Sequence, residues 1–206
     1  MKSDIMLKMI KLCSLLFLLC FPLLLSAQEV KEKIDTTQPR KAMLKMVLDA
    51  IENQSKEAGD KVKNELLAGM TAPDFEFPNQ KGKVYSLKDF RGKYVYIDVW
   101  ATWCDPCCQE IPFLKKLEKK LSKKKIVFVS LSCDKDIEVW KKMVKKDKLK
   151  GIQLCMGKDT TFWQDYLVSL IPRFILLDKE GKFVNSLMTR PSDPETEKTL
   201  LALPGI

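Results

Sequence analysis

Histidine is absent from all 206 residues. That excludes a Ser-His-Asp or Cys-His nucleophile and any zinc site with imidazole ligands. A second C-x-x-C is also missing, so a zinc site built from Cys104, Cys107 and Cys108 with Cys133 or Cys155 lacks its completing pair. The chain has no repeats and no low-complexity tract. Its lysine runs carry no interleaved aromatics or nucleic-acid motif, which argues against nucleic-acid binding. The peroxidatic spacing P-x-x-x-T-x-x-C is absent before Cys104.

One long apolar run is present, from Leu12 to Leu25, preceded by Lys2, Lys8 and Lys11. "LLLSAQ" follows, with a small-residue cleavage point after Ala27. This is the layout of a secretory signal peptide over residues 1–27. The run is short for a membrane span and Pro22 interrupts it. An uncleaved anchor, leaving the protein exported but membrane-associated, is the alternative. Removing the segment lowers the formal charge from +9 to +7. The remaining surplus lies in "KKLEKKLSKKK" and "WKKMVKKDKLK", which read as wet helix faces.

Five of the seven cysteines stay after residue 27, an odd number, so full internal pairing is excluded. Three crowd into "CDPCC". Cys104 and Cys107 form C-x-x-C where the apolar strand "YVYIDVW" hands over to a helix from about Asp105. A thiolate at Cys104 would meet unpaired N–H groups and the positive end of the helix dipole. Cys107 lies one turn on and less exposed. Pro106 fits the first turn, where an N–H has no helical partner. Lowering a thiol pKa from about 8.5 to about 7 raises the thiolate fraction roughly 16-fold at pH 7, and the lost basicity takes back roughly five-fold. Rate then depends more on exposure and on the resolving step. The spacer Asp105–Pro106 places an acid beside the thiolate, so the expectation is a weakly acidic thiol and a reducing site. Cys108, Cys133 and Cys155 are expected as buried small apolar residues.

Asp98 interrupts the buried strand, sharing a face with Tyr96 and Trp100. Two readings stand. It is a structural acid bonded to backbone or a lysine, or its burial raises its pKa so that it accepts the Cys107 proton.

Residues 28–69 read as a polar linker and a helical appendage. Met43, Met46, Val47, Ala50 and Ile51 recur at helical spacing, and a second short piece lies between Gly59 and Gly69. From residue 70 to 206 the order is β-hairpin, β, α, β, α, β, α, β-hairpin, α. Alternation implies parallel strands, and the terminal hairpin makes the sheet mixed, with helices on both faces. The fold class is α/β.

"DVWATWCDPC", Pro112 five residues after the second cysteine, and "IPRFILLDKEGK" resemble thioredoxin-like proteins. "GMTAPDFEFPNQKGKVYSLKDFRGK" is similar to the lead-in of their TlpA/ResA branch, which is related to the AhpC/TSA peroxiredoxins. The resemblance spans about residues 70–204. It implies a thioredoxin-like fold, with Cys104 the attacking and Cys107 the resolving cysteine, Asp98 the buried acid, Trp103 flanking the thiol, and Ile171–Pro172 the cis-proline pair facing the disulfide and binding substrate. It implies no cofactor beyond the redox-active disulfide Cys104–Cys107. It also implies disulfide-bearing client proteins in the periplasm, apocytochromes among them, and a membrane thiol reductase as electron donor. Three positions depart from the pattern. Ser130 stands where thioredoxins carry a lysine, Arg173 follows the proline, and the glycine usual after the last hairpin is missing around "SLMTRPS". Two functions remain in play, a disulfide oxidoreductase and a non-catalytic peptide-binding module on the same fold.

Overall fold

A computed structural model describes residues 37–206, which fall into two units meeting between residues 52 and 53. The signal-peptide reading lies outside the described residues. The appendage is one helix, α1 (Thr37–Glu65), rather than two pieces. Gly59 is carried through within the helix, and a side chain there would meet no other part of the protein; a single glycine costs a helix only about 1 kcal/mol.

Within residues 53–206, β1 (Glu76–Pro78) and β2 (Val84–Ser86) form the first hairpin, followed by a 3-10 turn over Leu87–Phe90. Ser86 and Asp89 cap that turn reciprocally, as the "SLKD" spacing predicts. The main elements are β3 (Tyr94–Trp100), α2 (Asp105–Leu121), β4 (Ile126–Ser132), α3 (Ile137–Lys146) and β5 (Ile152–Cys155). After them come α4 (Thr161–Asp165), β6 (Arg173–Leu177), β7 (Phe183–Met188) and α5 (Pro194–Leu201). The sheet order is β5-β4-β3-β6-β7. β3, β4 and β5 are parallel, β6 pairs antiparallel with β3 and β7 antiparallel with β6, so β6 alone is reversed and the sheet is mixed.

All seven residues of β3 are buried, because both faces of the central strand are covered. Val95, Ile97 and Val99 pack with Phe75, Phe77, Phe162 and Tyr166 on one side. Tyr94 and Tyr96 pack with Leu114, Leu117 and Leu200 on the other. Asp136 accepts from Glu138 N and Val139 N to start α3, and Asp193 accepts from Glu195 N to start α5. Gly181, at φ 72°, makes the turn between β6 and β7. Cys155 is buried as expected, but Cys108 and Cys133 are only half-buried. Each sits at an element end, where one side of the residue still faces solvent.

Candidate active site

β3 ends at Trp100, and the chain crosses Ala101–Trp103 to enter α2. That crossing is held from below. The Asp134 carboxylate, just past β4, accepts from Thr102 N at 3.0 Å, from Thr102 Oγ1 at 2.7 Å and from Ser132 Oγ at 2.6 Å. Cys104 is the N-cap of α2, and its sulfur accepts from Cys107 N at 3.3 Å. Asp105 and Pro106 form the exposed first turn. Cys104 and Cys107 are joined as a disulfide with Cα atoms 5.3 Å apart. Cys104 is 6% exposed and Cys107 3%, so the first cysteine is the more open. Both pack with Trp100, Trp140 and Ile171.

Trp103 stands 67% exposed beside the pair. It borders a groove of about 530 Å³ lined by Thr102, Val139, Lys142 and Met143. Ile171–Pro172 is a cis peptide bond, and Ile171 packs against the cluster that holds both cysteines. The positions read from sequence around the disulfide, Trp103 to Cys107 and Ile171–Pro172, therefore converge.

Asp98 sits on the α2 side of the sheet, opposite Ser130 in the β3–β4 register. Burial pushes its carboxyl up to about 7, against the pull of the Ser130 hydroxyl; Glu118 and Glu110 raise it further. The residue in the lysine's place is thus a neutral hydroxyl. Arg173 is buried, donates from Nε to Ser186 O at 2.9 Å, and pairs with Val99 on β3. It lies on the sheet face away from Asp98, because adjacent strand residues alternate. Burial lowers its guanidinium to about 10.

The free thiols are held protonated. Burial pushes Cys108 up, with Asp105 and Asp147 adding to it, and pushes Cys133 up to about 11. Cys108 Sγ leans on the Thr102 carbonyl at 3.7 Å instead of facing Cys107.

Three acids in this region escape the sequence reading. Glu110 is buried on α2, where its carboxylate accepts from Ser192 N at 2.9 Å and Ser192 Oγ at 2.8 Å. That bond holds the glycine-less "SLMTRPS" segment against α2. Glu118 lies further down the same helix, and Asp134 holds the crossing loop. Helical period gives the signal for the first two, since residues 107, 110, 114 and 118 share a face.

A family model described as Redoxin matches residues 67–201. The thiol-disulfide oxidoreductase ResA of a Bacillus cereus strain is 32% identical over 135 residues, which are 66% of this chain and 78% of that protein. A solution structure described as a candidate thiol-disulfide oxidoreductase from Bacteroides vulgatus is 57% identical, with a TM-score of 0.59, covering 66% of this chain and 90% of that one. The crystal structure of the thioredoxin domain of another Bacteroides vulgatus thiol-disulfide oxidoreductase is 32% identical, with a TM-score of 0.61, covering 66% and 97%. The chain belongs to the Redoxin family, and within it is a thioredoxin-like thiol-disulfide oxidoreductase of the ResA type.

Proposed function

We propose that this oxidoreductase works outside the cytoplasm as a reductase of protein disulfides. The observation that carries the reading is the Cys104–Cys107 bond at the mouth of α2, with the buried Asp98 on the sheet beneath that helix. In the reduced protein the Cys104 thiolate attacks a client disulfide. A Cys104–client bond forms, and the other client sulfur leaves with the electron pair and takes a proton. The Cys107 thiol then passes its proton to the Asp98 carboxylate and attacks Cys104. The Cys104–Cys107 bond forms as the Cys104–client bond breaks, so two electrons have moved from the protein to the client. No cofactor enters this sequence. Trp103 and the Ile171–Pro172 bond would border the client chain.

The resting pair then needs two electrons from a donor, for which a membrane thiol reductase is the class proposed. The direction rests on chemistry at the helix mouth: the Asp105 charge opposes a stabilised Cys104 thiolate, and a less stable thiolate makes a weaker oxidant. Export rests on the charged, apolar, small-residue layout of residues 1–27. Among the described residues no helix is long and apolar enough to cross a membrane. We assign 28–69 as appendage and linker and 70–206 as the catalytic domain. Clients are disulfide-bearing proteins, with apocytochromes the candidate class.

Trapping tests this. Cys107→Ser exposed to oxidised client should accumulate a mixed disulfide at Cys104, and Cys104→Ser should neither trap nor reduce. Equilibration with glutathione should place the pair below about −200 mV, far from the strong oxidants near −120 mV. Cys104→Ser reducing a disulfide as fast as wild type would refute the mechanism. Retained client binding without any turnover in the wild type would favour the binding-module reading.

A further inference from the structure

Below Cys107, the inward face of α2 carries Ile111, Leu114 and Glu118 in successive turns. Across from them, Asp98 on β3, Ser130 on β4 and Gln153 on β5 line up along the sheet. A cavity of about 10 Å³ lies between the two layers, room for one water. Lys115 and Lys150 border it toward the outside.

Two acceptors on this wall have no donor. Glu118 Oε2 and Gln153 Oε1 are buried without a hydrogen-bond partner. Flipping the amide does not help, because Gln153 Nε2 already donates to the Lys150 carbonyl. Gln153 is 3% exposed. Lys115 directs its ammonium to the Asp147 carbonyl. The chain makes room for the carboxyl: a Cβ on Gly151, at φ 65°, would stand 2.7 Å from Glu118 Oε1 and 2.8 Å from Phe128 O. Acceptor oxygens around one water-sized space need hydrogens, from a water or from a protonated carboxyl.

We propose that Asp98 and Glu118 act as one proton-holding pair across this water site, with Glu118 the solvent-side member through which the Cys107 proton leaves. The pair rests on the reading of Asp98 as acceptor in the resolving step. The Cys107 proton moves to the Asp98 carboxylate as the Cys104–Cys107 bond forms and the client sulfur departs. It then crosses the water to Glu118 and goes to solvent. Glu118 touches no sulfur and is a positioning residue.

The charges agree with this. Burial pushes Glu118 up to about 7, with Lys115 and Lys150 holding it back. Burial brings Asp98 to about 7 as well, with Ser130 opposing and Glu118 and Glu110 adding. Two sites of similar proton affinity exchange a proton with little climb, and such neighbours titrate as a pair.

The experiment is a carboxyl NMR titration of the full-length oxidised protein. Wild type should show two coupled steps near neutrality. Glu118→Gln should leave one, with the proton affinity of Asp98 lowered at least three-fold, and the acid limb of the client-reduction pH profile should shift the same way. Glu118→Asp, which keeps the charge, should retain two steps. Lys150→Gln, a change on an exposed side chain, should raise the upper step. An Asp98 midpoint unmoved in Glu118→Gln, or Glu118 titrating in the ordinary carboxylate range, overturns the pair. The titration is read on the protein alone, so it decides the pair whether or not the wild type reduces a client.

Discussion

At the scale of single residues, the disulfide and its acid place opposite demands on the fold. The bonded cysteines are uncharged and bury without penalty, whereas Asp98 carries a penalty whenever it is ionised. Its folded carboxyl holds a proton more tightly than the same group in the unfolded chain, at about 7 against an ordinary 3.8. Folding therefore takes up a proton between about pH 4 and about pH 7, and stability falls as pH rises through that window. Above it the penalty is full and constant. Asp98→Asn removes the penalty, so urea unfolding of the oxidised protein at pH 8 should show a gain of roughly 2–4 kcal/mol, set by about 1.4 kcal/mol for each tenfold change in proton affinity. At pH 4 the gain should vanish. An equal gain at both pH values would mean that Asp98 carries no buried charge. The same substitution should slow release of the reduced client on the order of 10²-fold, the usual weight of one general base. Cys108→Ser should change neither, since that thiol is held protonated and bonded to backbone carbonyls.

At the scale of elements, the strand-to-helix junction is set by a carboxylate from the loop just past the neighbouring strand, β4. Asp134 bonds Thr102 across 32 residues of sequence. Asp134→Asn leaves one acceptor where there were two and turns an N–H toward Thr102 or Ser132. A misplaced buried donor costs about 1–3 kcal/mol, and thermal unfolding should show that loss. Client reduction should fall further than stability accounts for, because Cys104 is the next residue but one along the loop. Unchanged kinetics would show that the helix N-cap alone positions the sulfur. This junction also marks how far the sequence could be read. "YVYIDVW", the C-x-x-C and the start of α2 are local patterns, and each stands where its pattern predicts. Glu118 sits in "KKLEKKL", whose composition reads as a wet face; helical period sets it in line with Cys107, Glu110 and Leu114, and docking on the sheet turns that line inward. Asp134 and Ser192 find their partners through tertiary contacts that no spacing announces. The sequence does not announce a continuous α1, because Gly59 signals a break, yet an isolated glycine is too weak a signal to force one.

At the scale of the whole molecule, the question is how much chain the redox unit needs. The compact unit starts at Asn53, inside α1, and not at the end of that helix. Val62 is 1% exposed, Leu66 packs against the main core, and the Leu66 carbonyl accepts from Ser186 Oγ at 2.9 Å. Farther down the chain, Gly69 N donates to Phe183 O and Phe183 N to Met70 O, tying the entry of the domain to β7. A chain starting at Asn53 keeps all of these and should unfold within about 0.5 kcal/mol of the full-length protein, as surface changes do. A chain starting at Gly69 loses the Val62 side chain and the Leu66 acceptor. Burying a valine is worth about 1.5–3 kcal/mol and one hydrogen bond about 1 kcal/mol, so the shorter chain should lose roughly 2–4 kcal/mol in urea unfolding. Its disulfide chemistry should persist below the melting point, since Asp98, Trp103, Cys104, Cys107, Ile171 and Pro172 all lie beyond the cut. Equal stability of the two shortened chains would make α1 a passive tether. Loss of client reduction in the Asn53 chain, with its fold intact, would instead place client recognition on the helix before it.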